Sequence, residues 1–305
     1  MSFENRLSVV MRTLGNRPEE ISRAIRSVAH SEYSDIELIV VYQGSDDSIR
    51  STLQALQRLL PVGMSLKVIQ NDQRGDQRAR NLNLGMEVAG GRWLAFLDDD
   101  DFVAKSHYRR LLDAMNETGF AWAYSQTLLR KERIDHQVIG ESLAFNQVSF
   151  SLAELLKQNH IPIHSFAIDR ARANEALLAE GFCEALSRSE DWDFLIRLAF
   201  FHKPAVLSEA TCTYCVREGE GNTNLSVMGS QEMSERTLAN EAAWRESKLL
   251  VDARKRSLVD TVWWGRACFP EVFKDARGAA EIKSRLRRLS DRIIRYSIRR
   301  LESLL

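Results

Sequence analysis

The first hundred residues switch repeatedly between two periodicities, and that alternation restricts the chain to one class of architecture. LSVVM at 7–11, IELIVVY at 36–42, SLKVI at 65–69 and RWLAFL at 92–97 are short runs of apolar, β-branched and aromatic residues. Runs this continuous leave no wet face, so each predicts a strand buried on both sides. Helical stretches separate them. Pro18, Glu19 and Glu20 make a helix start, and Ile21, Ala24, Ile25 and Val28 follow at helical spacing. Ile49, Leu53, Leu56 and Leu60 mark a second helix, and Ala79, Leu82, Met86 and Ala89 a third. Strands alternating with helices in this way predict a parallel α/β sheet.

In an open parallel sheet the ligand binds beyond the carboxyl ends of the strands. That rule gathers Arg12 and Thr13, Gln43 to Ser45, and Asp98 to Asp101 along one rim. The fourth run is the most telling, because WLAFLDDDD drives a buried strand straight into consecutive carboxylates. Like charges this close repel, and crowded carboxylates keep protons unless a cation compensates. On extended backbone Asp98 and Asp100 face one way, Asp99 and Asp101 the other. Two carboxylates on one side suit a hard divalent cation such as Mg2+ or Mn2+. A solvated acidic turn is the competing reading. RGDQRARN at 74–81 adds Arg74, Arg78 and Arg80 where the third helix starts, and arginines at a helix N-terminus favour a phosphate group.

Beyond residue 120 the pattern changes. WAYSQTLLR and IDHQVIG predict a hairpin or a meander, and IPIHSFAI at 161–168 a strand. Ser151 with Glu154, and Ser187 with Glu190, read as capping boxes opening two helices. In RSEDWDFLIRLAF, Asp191, Leu195 and Leu198 fall on one helical face, so a carboxylate looks inward. Burial raises its pKa and the helix dipole lowers it, which leaves a general base near neutral pH. The alternative is that Glu190 and Asp191 only complement the dipole.

The 305 residues are 44% hydrophobic and 28% charged with 5 prolines, as in an ordinary globular protein. There is no apolar run of about 18 residues, so neither a spanning helix nor a signal peptide is expected and the predicted location is cytoplasmic. Four scattered cysteines fit a reducing compartment. Cys212 and Cys215 form a CxxC, but TCTYCV reads as a strand, which points them to opposite faces and disfavours a shared metal. The net charge is zero overall, yet residues 281–305 hold eight basic against three acidic residues. There Ile282, Leu286, Leu289, Ile293 and Tyr296 form an apolar stripe opposite arginines. Such an amphipathic helix docks on the rest of the chain or a second subunit, or lies peripherally on an anionic membrane surface. No nucleic-acid-binding motif accompanies it, so nucleic acid is not an expected partner.

Three segments in order, LSVVMRTLGNRPEEISRAIRSVAHSEYSDIELIVVYQGSDD, GDQRARNLNLGMEVAGGRWLAFLDDDD and SEDWDFLIRLA, resemble the inverting family 2 glycosyltransferases with a GT-A fold over roughly residues 6–225. The resemblance implies a Rossmann-like, mostly parallel sheet flanked by helices, with a C-terminal helical extension. Residues 1–228 would form the transferase domain, with a nucleotide-binding half at 1–118 and an acceptor-binding half at 119–228, and residues 229–305 the extension. It implies a nucleotide-sugar donor, a glycan or lipid-linked acceptor, Mn2+ or Mg2+, and one in-line displacement at the anomeric carbon, in bacterial polysaccharide or lipopolysaccharide synthesis. By position, Thr13 and Gln43 would cradle the base, Arg80 the diphosphate, and Asp98 the ribose or donor sugar. Asp100 would ligate the metal, helped by Asp101. Asp191 would be the base, with Glu190 orienting the acceptor and His164 and Trp192 lining its pocket.

The chain departs from the family pattern at Tyr42 and Gln43, where an acidic pair is usual, at Arg12, where Pro is common, and in the His-free loop at 217–226. These departures imply a shifted donor preference and a metal held mainly by Asp100 and the diphosphate. A sugar-nucleotide pyrophosphorylase would want a Gly-rich loop after the first strand, whereas RTLGNRPEE has a single Gly. An inactive relative recruiting a partner through its helical tail is a further alternative, opposed by the retention of Asp98, Asp100 and Asp191.

Overall fold

The computed structural model describes residues 5–44, 48–58, 60–133, 135–145, 149–217 and 235–268. The predicted alternation is present: β1 (Leu7–Thr13), α1 (Pro18–Ala29), β2 (Ile36–Gln43), α2 (Ser48–Gln57), β3 (Ser65–Asn71), α3 (Arg78–Val88) and β4 (Trp93–Asp98) follow in order. β1 lies between β2 and β4, β3 lies outside β2, and all three pairings are parallel. Alternate residues of each strand enter different cores. Val10, Leu94 and Phe96 pack on the face shared with α3, while Leu7, Val9, Met11, Trp93 and Ala95 pack on the face shared with α1. Each of the Val, Leu, Phe and Met side chains contributes about 1.5–3 kcal/mol by burial, which is why these strands carry no polar alternation. α3 comes close enough to β1 that a Cβ on Gly85 would sit 2.3 Å from Val10 Cγ1. Only glycine permits that approach.

Past β4 the sheet becomes mixed. A two-residue β5 (Phe102–Val103) and α4 (His107–Thr118) lead to the hairpin of β6 (Trp122–Glu132) and β7 (Val138–Leu143). α5 (Leu152–Lys157) follows, capped by Ser151 Oγ accepting from the Glu154 N–H at 3.3 Å, as its capping box predicts. IPIHSFAI is only half strand, because Ile163–Ser165 turn as a 3-10 helix before β8 (Phe166–Asp169). α6 (Glu175–Glu180), α7 (Glu190–Phe201) and β9 (Ala205–Arg217) complete this half. β8 runs antiparallel to both β4 and β6, and β9 lies parallel to β6. The sheet order is β3-β2-β1-β4-β8-β6-β9-β5, with β7 on β6.

The Ser187 capping box does not form. The N-cap of α7 is Ser189, in the left-handed region at φ 61°, and its side chain makes no cap bond. The last helix among the described residues, α8 (Glu235–Cys268), packs on α7 and buries Val251 in the same core as Phe194 and Leu195. Arg254 Nε reaches Asp193 Oδ1 at 2.6 Å, and Lys255 Nζ donates to the Leu156 carbonyl at 2.9 Å. Cys212 and Cys215 are both buried free thiols on β9. Among the described residues no helix is long and apolar enough to cross a membrane. Ser45, positions 218–226 of the loop, and the basic tail at 281–305 lie outside the described residues.

Candidate active site

The rim forms where β1 and β4 end. The parallel register sets Arg12 opposite Asp98, so a cation and a carboxylate leave neighbouring strands together. Arg12 Nε donates to Asp98 Oδ1 at 2.9 Å, and its Nη1 donates to Glu190 at the start of α7. One guanidinium thus joins three elements. Burial works to raise the Asp98 pKa, but the charge and hydrogen bonds of Arg12 outweigh it and hold the carboxyl below its ordinary value.

The expected extended run is a turn closed by the Asp101 N–H donating to the Asp98 carbonyl at 3.3 Å, yet the four aspartates still alternate in exposure, Asp98 and Asp100 half-buried, Asp99 and Asp101 buried. Their partners differ. Arg17, in the loop before α1, donates through Nη2 to Asp99 and through Nη1 to Asp100. Asp99 also accepts from the Thr13 hydroxyl, and burial pushes its carboxyl up to about 7 despite Arg17. Asp101 points inward, where His164 Nδ1 lies 2.8 Å from Oδ2 and the Cys215 N–H donates to Oδ1 at 2.8 Å. Burial alone would lower the His164 pKa, but Asp101 more than compensates and raises it well above the ordinary imidazole value. Its ring stacks on Tyr214.

α7 supplies the remaining acids. Left-handed backbone at a non-glycine residue costs about 1–3 kcal/mol and marks positions fixed by their surroundings. Here it is Ser189, immediately before Glu190. Glu190 is buried against Arg12. Asp191 is half-buried, accepting from its neighbour Trp192 N–H at 2.8 Å and from Asn159 Nδ2 at 2.8 Å. Burial first, and the Glu190 charge second, push the Asp191 carboxyl up to about 7.

The other expected site residues lie as follows. Gln43 accepts from Asn81 Nδ2 at 3.2 Å and donates to the Gly75 carbonyl at 2.8 Å, so its amide braces the loop before α3. Arg80 is turned to Glu87 and Glu184. Arg78 is the arginine of that stretch that lies among the charges of Arg12, Glu190, Asp76 and Arg188, with burial and then its neighbouring cations lowering its pKa against the pull of Asp76. Trp192 is covered, its Nε1 donating to the Leu155 carbonyl at 2.6 Å and Lys255 Nζ standing 3.7 Å from its ring. Asp98, Asp100, Glu190 and Asp191 are therefore brought to one place, Asp101 and His164 pair with each other within charge reach of Asp98, and Trp192 and Arg80 are engaged with other partners.

A hard divalent cation that keeps several waters needs one or two protein carboxylates plus substrate phosphates. Asp100 fits that demand, being half-exposed with a carboxylate whose one partner among the described residues is Arg17. No three His, Cys, Asp or Glu side chains converge among the described residues. The residues suit a cation shared with a phosphate, not a protein cage.

The sequence profile of glycosyl transferase family 2 matches residues 8–178, which hold β1 to β4 and the acidic turn. The chain belongs to glycosyl transferase family 2. A family 2 relative, the Campylobacter jejuni GalNAc(5)-diNAcBac-PP-undecaprenol beta-1,3-glucosyltransferase, is 32% identical over 127 residues, 42% of this chain and only 40% of that one. The Rhizobium meliloti succinoglycan biosynthesis protein ExoO is 28% identical over 92% of this chain and 86% of its own length. Among solved structures, S. aureus TarS 1–349 with UDP-GlcNAc superposes at TM-score 0.53 with 21% identity, over 70% of this chain and 60% of that one. The Pyrobaculum calidifontis mannosyltransferase PcManGT with GDP-Man and Mn2+ gives 0.52 with 15% identity, over 97% and 85%. These structural likenesses show a shared GT-A fold.

Two residues of this family 2 site escape a sequence reading. Sequence puts Arg12 on the rim and marks it as a departure from a common proline but gives it no partner, and it does not single out Arg17. The available signal was the parallel register, which sets the residue at the end of β1 opposite Asp98.

Proposed function

We propose that the chain is a metal-dependent inverting glycosyltransferase that moves a sugar from a nucleoside-diphosphate sugar to a hydroxyl of a glycan or lipid-linked acceptor. The observation that carries this reading is the Arg12 bridge, which sets Asp191, through its neighbour Glu190, beside the carboxylates at the end of β4. A base and a donor-binding rim would then act side by side. Asp191, with its carboxyl pushed up to about 7, takes the proton from the acceptor hydroxyl as that oxygen bonds to the anomeric carbon. The bond from that carbon to the diphosphate oxygen breaks on the opposite side, so the configuration inverts and the nucleoside diphosphate leaves. Asp100 would hold Mn2+ or Mg2+, which supplies Lewis-acid neutralisation of the departing phosphate charge. Arg78, placed among the charges of the rim, is better disposed than Arg80 to meet the diphosphate.

The names of the Campylobacter and Rhizobium relatives support a role in assembling a bacterial polysaccharide or a lipid-linked glycan. A lipid-linked acceptor would give the basic stripe at 281–305 a purpose, holding the enzyme on the cytoplasmic membrane face. The test is thermal melting with UDP, GDP, TDP and CMP, each with and without Mn2+, on wild type and Asp100→Ala. Saturation at 100 times the dissociation constant adds about 2.7 kcal/mol. One nucleotide giving a metal-dependent shift that the variant lacks is the expected result. No shift with any of them, on folded protein, would refute the proposal.

A further inference from the structure

We infer that Arg17 is a built-in, displaceable counter-cation for Asp100, occupying the carboxylate that a divalent ion must claim and setting how tightly that ion binds. The inference rests on the proposed metal role of Asp100. Its basis is how the chain's own cations are distributed over the acidic turn. Asp98 is held by Arg12 and Asp101 faces His164. Asp99 keeps the Thr13 hydroxyl whatever Arg17 does. Asp100 alone depends on Arg17 among the described residues.

Arg17 is also the cation best able to leave. Its side chain is 37% exposed, against 16% for Arg12, whose guanidinium is gripped from two sides. It stands in the loop just before Pro18, where its side chain caps nothing. A guanidinium and a divalent ion on the same carboxylate repel, so binding of one disfavours the other. Once displaced, the fork can stay on Asp99 or turn to the negatively charged diphosphate, the group its planar donors match best. Donor binding would then favour metal binding, because the phosphate offers Arg17 another partner.

The test is direct Mn2+ titration of the full chain without donor, reading free Mn2+ by electron paramagnetic resonance. Arg17→Gln is expected to bind Mn2+ about tenfold more tightly than wild type. Arg17→Lys, which keeps the charge but loses the two-pronged contact, is expected between them. Adding Asp100→Asn to Arg17→Gln should abolish the gain. If both Arg17 variants bind no more tightly than wild type while Asp100→Asn weakens binding, the inference fails and the metal role of Asp100 stands. If wild type and all variants, folded by circular dichroism, take up no Mn2+ either alone or with UDP, GDP or TDP present, the metal reading falls and the inference with it.

Discussion

Arg12 and Glu190 are 178 positions apart in the chain, yet they form an ion pair in which the side chains are only 16% and 4% exposed. Because the same guanidinium holds Asp98, the end of the parallel half-sheet and the start of α7 cannot move independently. α7 is thereby registered against the ends of β1 and β4 by electrostatics rather than by apolar packing alone.

Removing that cation would strand two carboxylates. Glu190 has little water to turn to, and breaking a buried pair on one side costs about 3–5 kcal/mol. Arg12→Met should lower the urea midpoint accordingly, and adding Glu190→Gln should recover part of the loss. A variant within about 1 kcal/mol of wild type would show that the pair does not tie the two elements.

Asp191 should control rate rather than donor affinity. Asp191→Asn is expected to lower kcat by about 10²–10⁴-fold, the usual worth of a general base, with the KM for donor little changed. Only the ionised carboxylate accepts a proton, so wild-type kcat/KM should climb with pH and level off above about 7. Retention of the rising limb in Asp191→Asn would assign it to another group.

The same raised pKa has a cost in stability. The folded chain holds the Asp191 proton up to about 7, well above an unfolded carboxylate. The stabilisation from that proton is full below the unfolded value and is lost as pH rises through about 7. Asp191→Asn, always neutral, should therefore melt a few degrees above wild type at pH 8 and at nearly the same temperature at pH 4. Equal melting at both would show that Asp191 ionises without penalty.

The parallel half of the fold was legible because strands buried on both faces need unbroken apolar runs, and IELIVVY or RWLAFL leave no other option. The acidic turn followed from the same logic, since a strand end at the rim is where charge can sit. Less legible was anything set by distant pairing. IPIHSFAI carries strand residues, but Pro162 caps a 3-10 turn before β8 begins. Ser187 and Glu190 have capping-box spacing, yet Ser187 meets Ser247 of α8 instead. Trp192 is expected from the resemblance to line the acceptor pocket, and nothing local in sequence shows that Lys255, 63 positions on, stands over its ring.

α8 reaches α7 through that contact and through Arg254. Asp193, 3% exposed, sits between Arg197 of its own helix and Arg254 of α8. Burial would raise its pKa, but the two guanidiniums prevail and hold it below the ordinary value. A carboxyl lowered on folding stabilises above its unfolded pKa, and that stability is lost as pH falls through the folded one. Arg254→Met removes one guanidinium, so the variant should unfold at a higher pH in an acid titration and lose about 2–4 kcal/mol at neutral pH. Lys255→Met, which removes only the cation over Trp192, should cost about 0.5–2 kcal/mol and leave the acid transition in place. If α8 holds α7 in register with the rim, Arg254→Met should also reduce kcat while Mn2+ binding at Asp100 stays as in wild type. Acid unfolding of Arg254→Met that matches wild type would mean that α8 packs on the base helix without anchoring it.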